Sequence, residues 1–217
     1  LSEPINVTSF QQARAFYVGQ WMYFDGGIGA GWAVDRPEAR TLIDSLAKQA
    51  RAILYADWTG SWICLPYQAT AETVVNLTQN HVLYPPGSER TPPSQRQSTL
   101  RVTLGKLDLI AHRFEIHYGW NPGAGKYDKL TYADATGYKT SGIDGAALQA
   151  LCVDSLARYG VLPPHVIEAS LIADDDAAAR LLTHVTNYFW SQRLFIDLEI
   201  PLQLGIRIGL GTFVTLT

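Results

Sequence analysis

Residues 109–133 read LIAHRFEIHYGWNPGAGKYDKLTYA, and this stretch decides the architecture. Over 109–118 the side chains alternate: Ile110, His112, Phe114, Ile116 and Tyr118 share one face, and Arg113, Glu115 and His117 the other. A period of two is that of a half-buried strand. Asn121, Pro122, Gly123, Ala124 and Gly125 then supply a hairpin loop, and 127–133 a second strand. A sheet is therefore expected at the heart of the chain.

Upstream, Asp35 followed by Arg36, Pro37 and Glu38 has the form of a helix start: an N-cap, a proline in the first turn and an acid at the capping-box position. Leu42, Ile43, Leu46, Ala50 and Ile53 recur at helical spacing and form the expected buried stripe. Lys48, Gln49 and Arg51 are left toward water, with the helix ending near Arg51. Two apolar runs follow, 53–56 and 61–66, separated by Asp57, Trp58, Thr59 and Gly60. That is a hairpin whose glycine takes a positive φ. The stretch 26–31, GGIGAG, lacks GxGxxG spacing after a strand and reads as a surface loop.

Pro85, Pro86, Pro92 and Pro93 punctuate a polar stretch expected to be a mobile loop. It divides the chain into a helix-plus-hairpin part, 1–84, the loop 85–98, and a strand-rich part, 99–217, with a helix at about 175–190. Within the last part, Leu148, Leu151, Cys152 and Leu156 keep helical spacing, with Gly160 placed as a C-cap. Asp174, Asp175 and Asp176 precede an amphipathic helix over 177–190, whose stripe is Ala178, Leu181, Leu182, Val185 and Phe189. Leu194, Ile196, Leu198 and Ile200 alternate with Phe195, Asp197 and Glu199 in a strand whose Leu and Ile face must be buried. Pro201 ends it, and residues 205–211 lead into a last strand.

The bulk properties bound the function. The 217 residues are 47% hydrophobic and 11% aromatic, with a formal net charge of -3 and no block of basic residues, which argues against a dedicated nucleic-acid or membrane-surface binder. No apolar run is long enough for a membrane span. Cys64 and Cys152 lack CxxC or Cys/His company and read as buried thiols rather than a metal or redox pair. The chain starts at Leu1 and stops at Thr217 inside an alternating pattern, as expected of a fragment or processed product.

No nucleophile elbow, HExxH, Walker loop or EF-hand pattern occurs. His112 and His117 lie at an odd offset on one strand, which sends them to opposite faces, so they are expected to be a hydrogen-bonded core histidine and a surface one. Asp174, Asp175 and Asp176 suit Mg²⁺ or Ca²⁺ by donor type, but a cap and two first-turn acids explain them without metal. Trp21, Trp32, Trp58, Trp62 and Trp120 offer candidate sugar-stacking rings. Trp58 and Trp120, beside turns, stand out among them, with packing as the bland alternative.

Four stretches in order resemble the tail-tip or baseplate hub proteins of tailed phages, related in fold to the type VI secretion spike. They are ARTLIDSLAKQARAILYADWTGSW from Ala39, RFEIHYGWNPGAGKY from Arg113, DSLARYG from Asp154, and SLIADDDAAARLLTHVTNYFWSQRLFIDLEIPL from Ser170, closed by LGTFVTLT. The resemblance implies an α+β, mainly β fold of strand-rich, hub-type, β-barrel-like domains with about two to three packed helices. It implies strand rather than helix over 148–153, the reading adopted for that segment. Where the family has Pro-Gly-Asp before its final strand, this chain has Leu210, Gly211 and Thr212. The implied role is structural, in the virion: a homotrimeric ring joining tail tube to tip, contacting other tail proteins, with DNA passing through its lumen. No catalytic residue, cofactor or metal is implied. The rivals are a carbohydrate-binding β-domain and part of an enzyme completed elsewhere, with Asp134, Asp144 and Asp154 as its acids.

Overall fold

The computed structural model describes residues 5–19, 39–56, 59–66, 74–78, 99–201, 208 and 213–216. The chain divides into two compact units, one from residues 1–67 and 107–191, the other from 68–106 and 192–217. The Asp35 helix start, the GGIGAG stretch, the proline-rich 85–98 segment, Trp21, Trp32, Trp58 and the turn at Gly211 lie outside the described residues.

The first unit is built on the expected hairpin. β5 (Arg113–Asn121) pairs antiparallel with β6 (Lys126–Asp134), in register from Arg113↔Asp134 to Asn121↔Lys126. The strand begins later than its alternation predicts, because the backbone at Ala111 is taken by helices. Its N–H donates to Phe189 O at 3.1 Å, and its carbonyl accepts from Ser155 Oγ at 3.0 Å. A short β7 (Tyr138–Lys139) flanks β6, and β8 (His165–Ala169) runs parallel to β5, giving the order β7-β6-β5-β8. A parallel neighbour needs a crossover, and α3 (Gly145–Tyr159) is part of it.

The strand expected over 148–153 is therefore corrected: this segment is helical. Asp144 caps α3 by accepting from Ala147 N at 3.1 Å, and Leu148, Cys152 and Ser155 share its buried side. Gly160 stops it at φ 76°, its N–H donating to Leu156 O. Local capping and a one-sided apolar stripe outweigh the implied strand.

α4 (Asp175–Phe189) packs beside α3 on the same sheet. Phe114, Ile116 and Tyr118 from β5 are buried with Leu181, Leu182 and Val185, the core the two periodicities predict. Upstream, α2 (Ala39–Ala50) ends at Arg51, which takes φ 55°, and leads into β1 (Ala52–Ala56) and β2 (Trp62–Pro66), the expected hairpin with Gly60 at φ 81°. The faces of α2 differ from expectation. Ile43 and Leu46 are exposed, while Gln49, expected in water, is buried with its Oε1 accepting from Leu171 N at 2.9 Å. Helix α1 (Val7–Gly19) has no apolar periodicity to announce it. Asn6 Oδ1 accepts from Ser9 N, and Ser9 Oγ accepts from Cys64 N of β2.

In the second unit β3 (Val74–Leu77) pairs parallel with β10 (Phe213–Leu216), and β4 (Arg101–Leu104) antiparallel with β9 (Leu194–Asp197). Both faces of the β4–β9 ribbon are open: Val102, Leu104, Leu194, Phe195 and Ile196 are all exposed. The burial expected for the Leu and Ile face of β9 is thus not found at Leu194 and Ile196, and among the described residues β9 pairs with β4 alone.

The architecture is mixed α and β. The described residues hold four α-helices rather than two to three, helix and strand share them about equally, and none of the sheets closes into a barrel. Among the described residues no helix is long and apolar enough to cross a membrane.

Candidate functional site

The β5–β6 hairpin holds its loop tightly. Asn121 Oδ1 accepts from Gly123 N at 3.1 Å and Ala124 N at 3.2 Å, while its Nδ2 donates to Asp128 Oδ2 at 3.0 Å. Trp120 and Tyr127 are register partners just inside this loop, and their rings meet at 4.9 Å and 58°. Tyr127 also meets His117 edge-on at 6.3 Å. Burial, then the charge of Glu168 on β8 and a hydrogen bond to it, push the Tyr127 hydroxyl pKa up. Trp120 stays 40% exposed. Behind it along β5, Glu115 accepts from Arg113 Nε and lies 3.4 Å from His117 Nε2. The rings thus meet pairwise, Trp120 with Tyr127 and Tyr127 with His117, with Glu168 beside Tyr127 and Glu115 beside His117.

His112 and His117 do not converge. Leu162 N donates to His112 Nδ1 at 3.2 Å, so His112 is hydrogen-bonded as expected, although half-buried before the strand instead of inside its core face. The acidic run separates by role. Asp174 caps α4, its Oδ2 accepting from Ala177 N at 2.9 Å. Asp175 Oδ1 accepts from Lys129 Nζ at 2.7 Å and from Tyr118 Oη at 3.2 Å. The Lys129 hydrogen bond and charge, with help from Tyr118 and Lys139 and against some desolvation, hold the Asp175 carboxyl below its ordinary pKa. Burial, with the Asp175 charge and hydrogen bond, pushes Tyr118 up to about 12. Asp176 lies beside Gly142.

The acids considered for catalysis are scattered among structural tasks. Asp134 is buried. Desolvation works against its charge, but hydrogen bonds from Thr136 and Gly137 and the Arg113 charge prevail, so its pKa is lowered. Asp144 caps α3, and Asp154 faces Arg158 one turn on at 3.9 Å. Cys64 and Cys152 are free thiols. Cys152 is pushed up to about 12 by burial and the Asp134 charge, which leaves it protonated and unreactive at neutral pH. In the second unit an open cleft of about 500 Å³ is lined by Leu77, Ile196, Ile208 and Val214 with Asp197.

Glu168 and Tyr127 were not singled out from the sequence. A signal for Tyr127 existed, since it sits opposite Trp120 across the loop. Glu168 had none, because its place beside Tyr127 depends on the parallel register of β8. No family profile and no curated protein matches the chain.

Proposed function

We propose that the chain is a structural part of a tailed-phage tail tip or baseplate hub, joining tail tube to tip apparatus. The observation that carries this reading is the β4–β9 ribbon. Its apolar residues are exposed on both faces, the register partners Leu104 and Leu194 at 64% and 62% on one and Phe195 at 48% on the other. A lone two-stranded ribbon is marginal in water, and its edges invite further pairing. Head-to-tail contact around a closed ring covers such a ribbon in every copy.

The order of elements adds support. The stretch from Ala39 carries α2, β1 and the start of β2, that from Arg113 the β5–β6 hairpin, and that from Ser170 α4 and β9. In this reading the protein is a homotrimer in the virion. Its hub-type, barrel-like walls are completed between copies and by other tail proteins, and DNA crosses the lumen without sequence-specific contact. Electron microscopy of the full-length protein tests it. A closed three-fold ring is expected; a two-fold dimer, or a monomer at micromolar concentration, overturns it.

A further inference from the structure

Independently of that structural role, the end of the β5–β6 hairpin has the properties of a ligand surface. Trp120 is a large apolar ring left 40% exposed, yet it is not loose: Tyr127 supports it at 4.9 Å, and the strand behind it ends in a loop pinned by three hydrogen bonds to Asn121. A ring that is both rigid and wet loses little conformational entropy on binding and gains from being covered. Polar groups flank it. Glu168 is exposed and receives the Tyr127 hydroxyl, which leaves further lone pairs for other donors. His117, on the far side of Tyr127, is 36% exposed in its side chain.

Two ligand chemistries suit rings beside carboxylates: cationic side chains and sugars. The charges decide between them. Glu115 is already paired with Arg113 and faces His117, and Asp128 is held by Asn121. Glu168 and Asp128 keep their charge, because a phenol and an amide donate hydrogen bonds without neutralising a carboxylate, while Lys126 stands at the same end of the hairpin, opposite Asn121. About one net negative charge is left, exposed to water, where it holds a cation only weakly. The hydrogen-bonding capacity of the same groups is intact, and it is what hydroxyl groups need. A pyranose has an apolar face of C–H groups for a ring to stack on, and a rim of hydroxyls for a carboxylate and an imidazole.

We propose that this hairpin end is a carbohydrate-binding platform for a neutral oligosaccharide, with Trp120 and Tyr127 stacking on the sugar face and Glu168 and His117 bonding its hydroxyls. The row His117, Tyr127, Trp120 runs along an open surface, which suits several linked sugar units better than one enclosed monosaccharide.

The test uses the full chain on an array of neutral glucose, galactose, mannose and N-acetylhexosamine oligosaccharides. Isothermal titration of the tightest binder follows, with hexalysine as the cationic alternative. Trp120→Ala is expected to weaken sugar binding by about tenfold or more, the scale of one lost stacking contact plus its buried area. Glu168→Gln is expected to weaken it less, because an amide oxygen still accepts. The melting temperature should be unchanged in Glu168→Gln, which keeps its shape, and in Trp120→Phe, which retains a stacking ring and therefore part of the affinity. No binding to any sugar on the array, tighter binding of hexalysine than of any sugar, or sugar affinity indifferent to Trp120→Ala would each overturn the proposal.

Discussion

Leu171 donates its backbone N–H to the side-chain oxygen of Gln49 at 2.9 Å, across 122 residues of sequence. The bond ties the last turn of α2 to the bend between β8 and α4, and Gln49 is only 6% exposed. Gln49→Ala leaves that buried N–H without its partner, a loss of about 2 kcal/mol. Urea unfolding of the variant should show a lower midpoint at unchanged slope. An unchanged midpoint would mean that the bond contributes nothing to stability.

The opposite sign is expected at Thr186. Its side chain is fully buried in α4, and its hydroxyl has no hydrogen-bond partner. Thr186→Val keeps the shape and removes the unpaired hydroxyl, so it should stabilise the protein by about 1 kcal/mol. Thr186→Ser keeps the hydroxyl, loses a methyl group and should destabilise. Thermal melts of the pair check the order.

At the start of α4 two adjacent acids should behave differently. Asp174→Ala removes a cap and should cost about 1 kcal/mol, most of which Asp174→Ser restores. Asp175→Asn touches a pair whose side chains are 48% and 56% exposed, so only a few tenths of a kcal/mol, roughly, should follow. Because one acid caps and the next pairs with Lys129, a chelator should leave the melting temperature where it is. A fall of several degrees, reversed by Ca²⁺ or Mg²⁺, would make the run a metal site.

What could be read in advance followed from local rules. Alternation along β5 and acids ahead of an apolar stripe in α4 both act within one element, and both elements formed. Gln49 was misplaced because its partner lies in another segment, and a helix stripe cannot show which end of the helix docks. α1 escaped notice because Gln11, Gln12 and Arg14 interrupt any apolar face, and it is anchored instead by Ser9 against β2. Of the aromatic line, Trp120 was legible beside its turn. Glu168 joins it only through the β8 register, which α3 sets at a distance.

The last expectation concerns pH. His165 opens β8 with its ring stacked on Phe189 at 4.7 Å and 21°, and with Phe114 at 6.1 Å. Burial lowers its pKa from the ordinary 6.5, so the folded protein holds this imidazole neutral where the unfolded chain would begin to charge it. Above 6.5 both states are neutral and the group is silent. As pH falls through 6.5 the unfolded state binds the extra proton, and stability declines until the folded pKa is passed. Asp134 and Asp175 act lower down: their pKa values are depressed from 3.8, so the stability they contribute is present above 3.8 and is lost as pH falls through their folded values. The loss tied to His165 therefore begins at higher pH than the loss tied to the two carboxylates. His165→Phe keeps an aromatic ring on Phe189 and cannot titrate. Between about pH 7.5 and pH 5.5 the wild type should lose stability faster than this variant. Urea midpoints measured across that range decide it. Curves that stay parallel throughout would mean that the folded protein accepts the His165 proton as readily as the unfolded chain does.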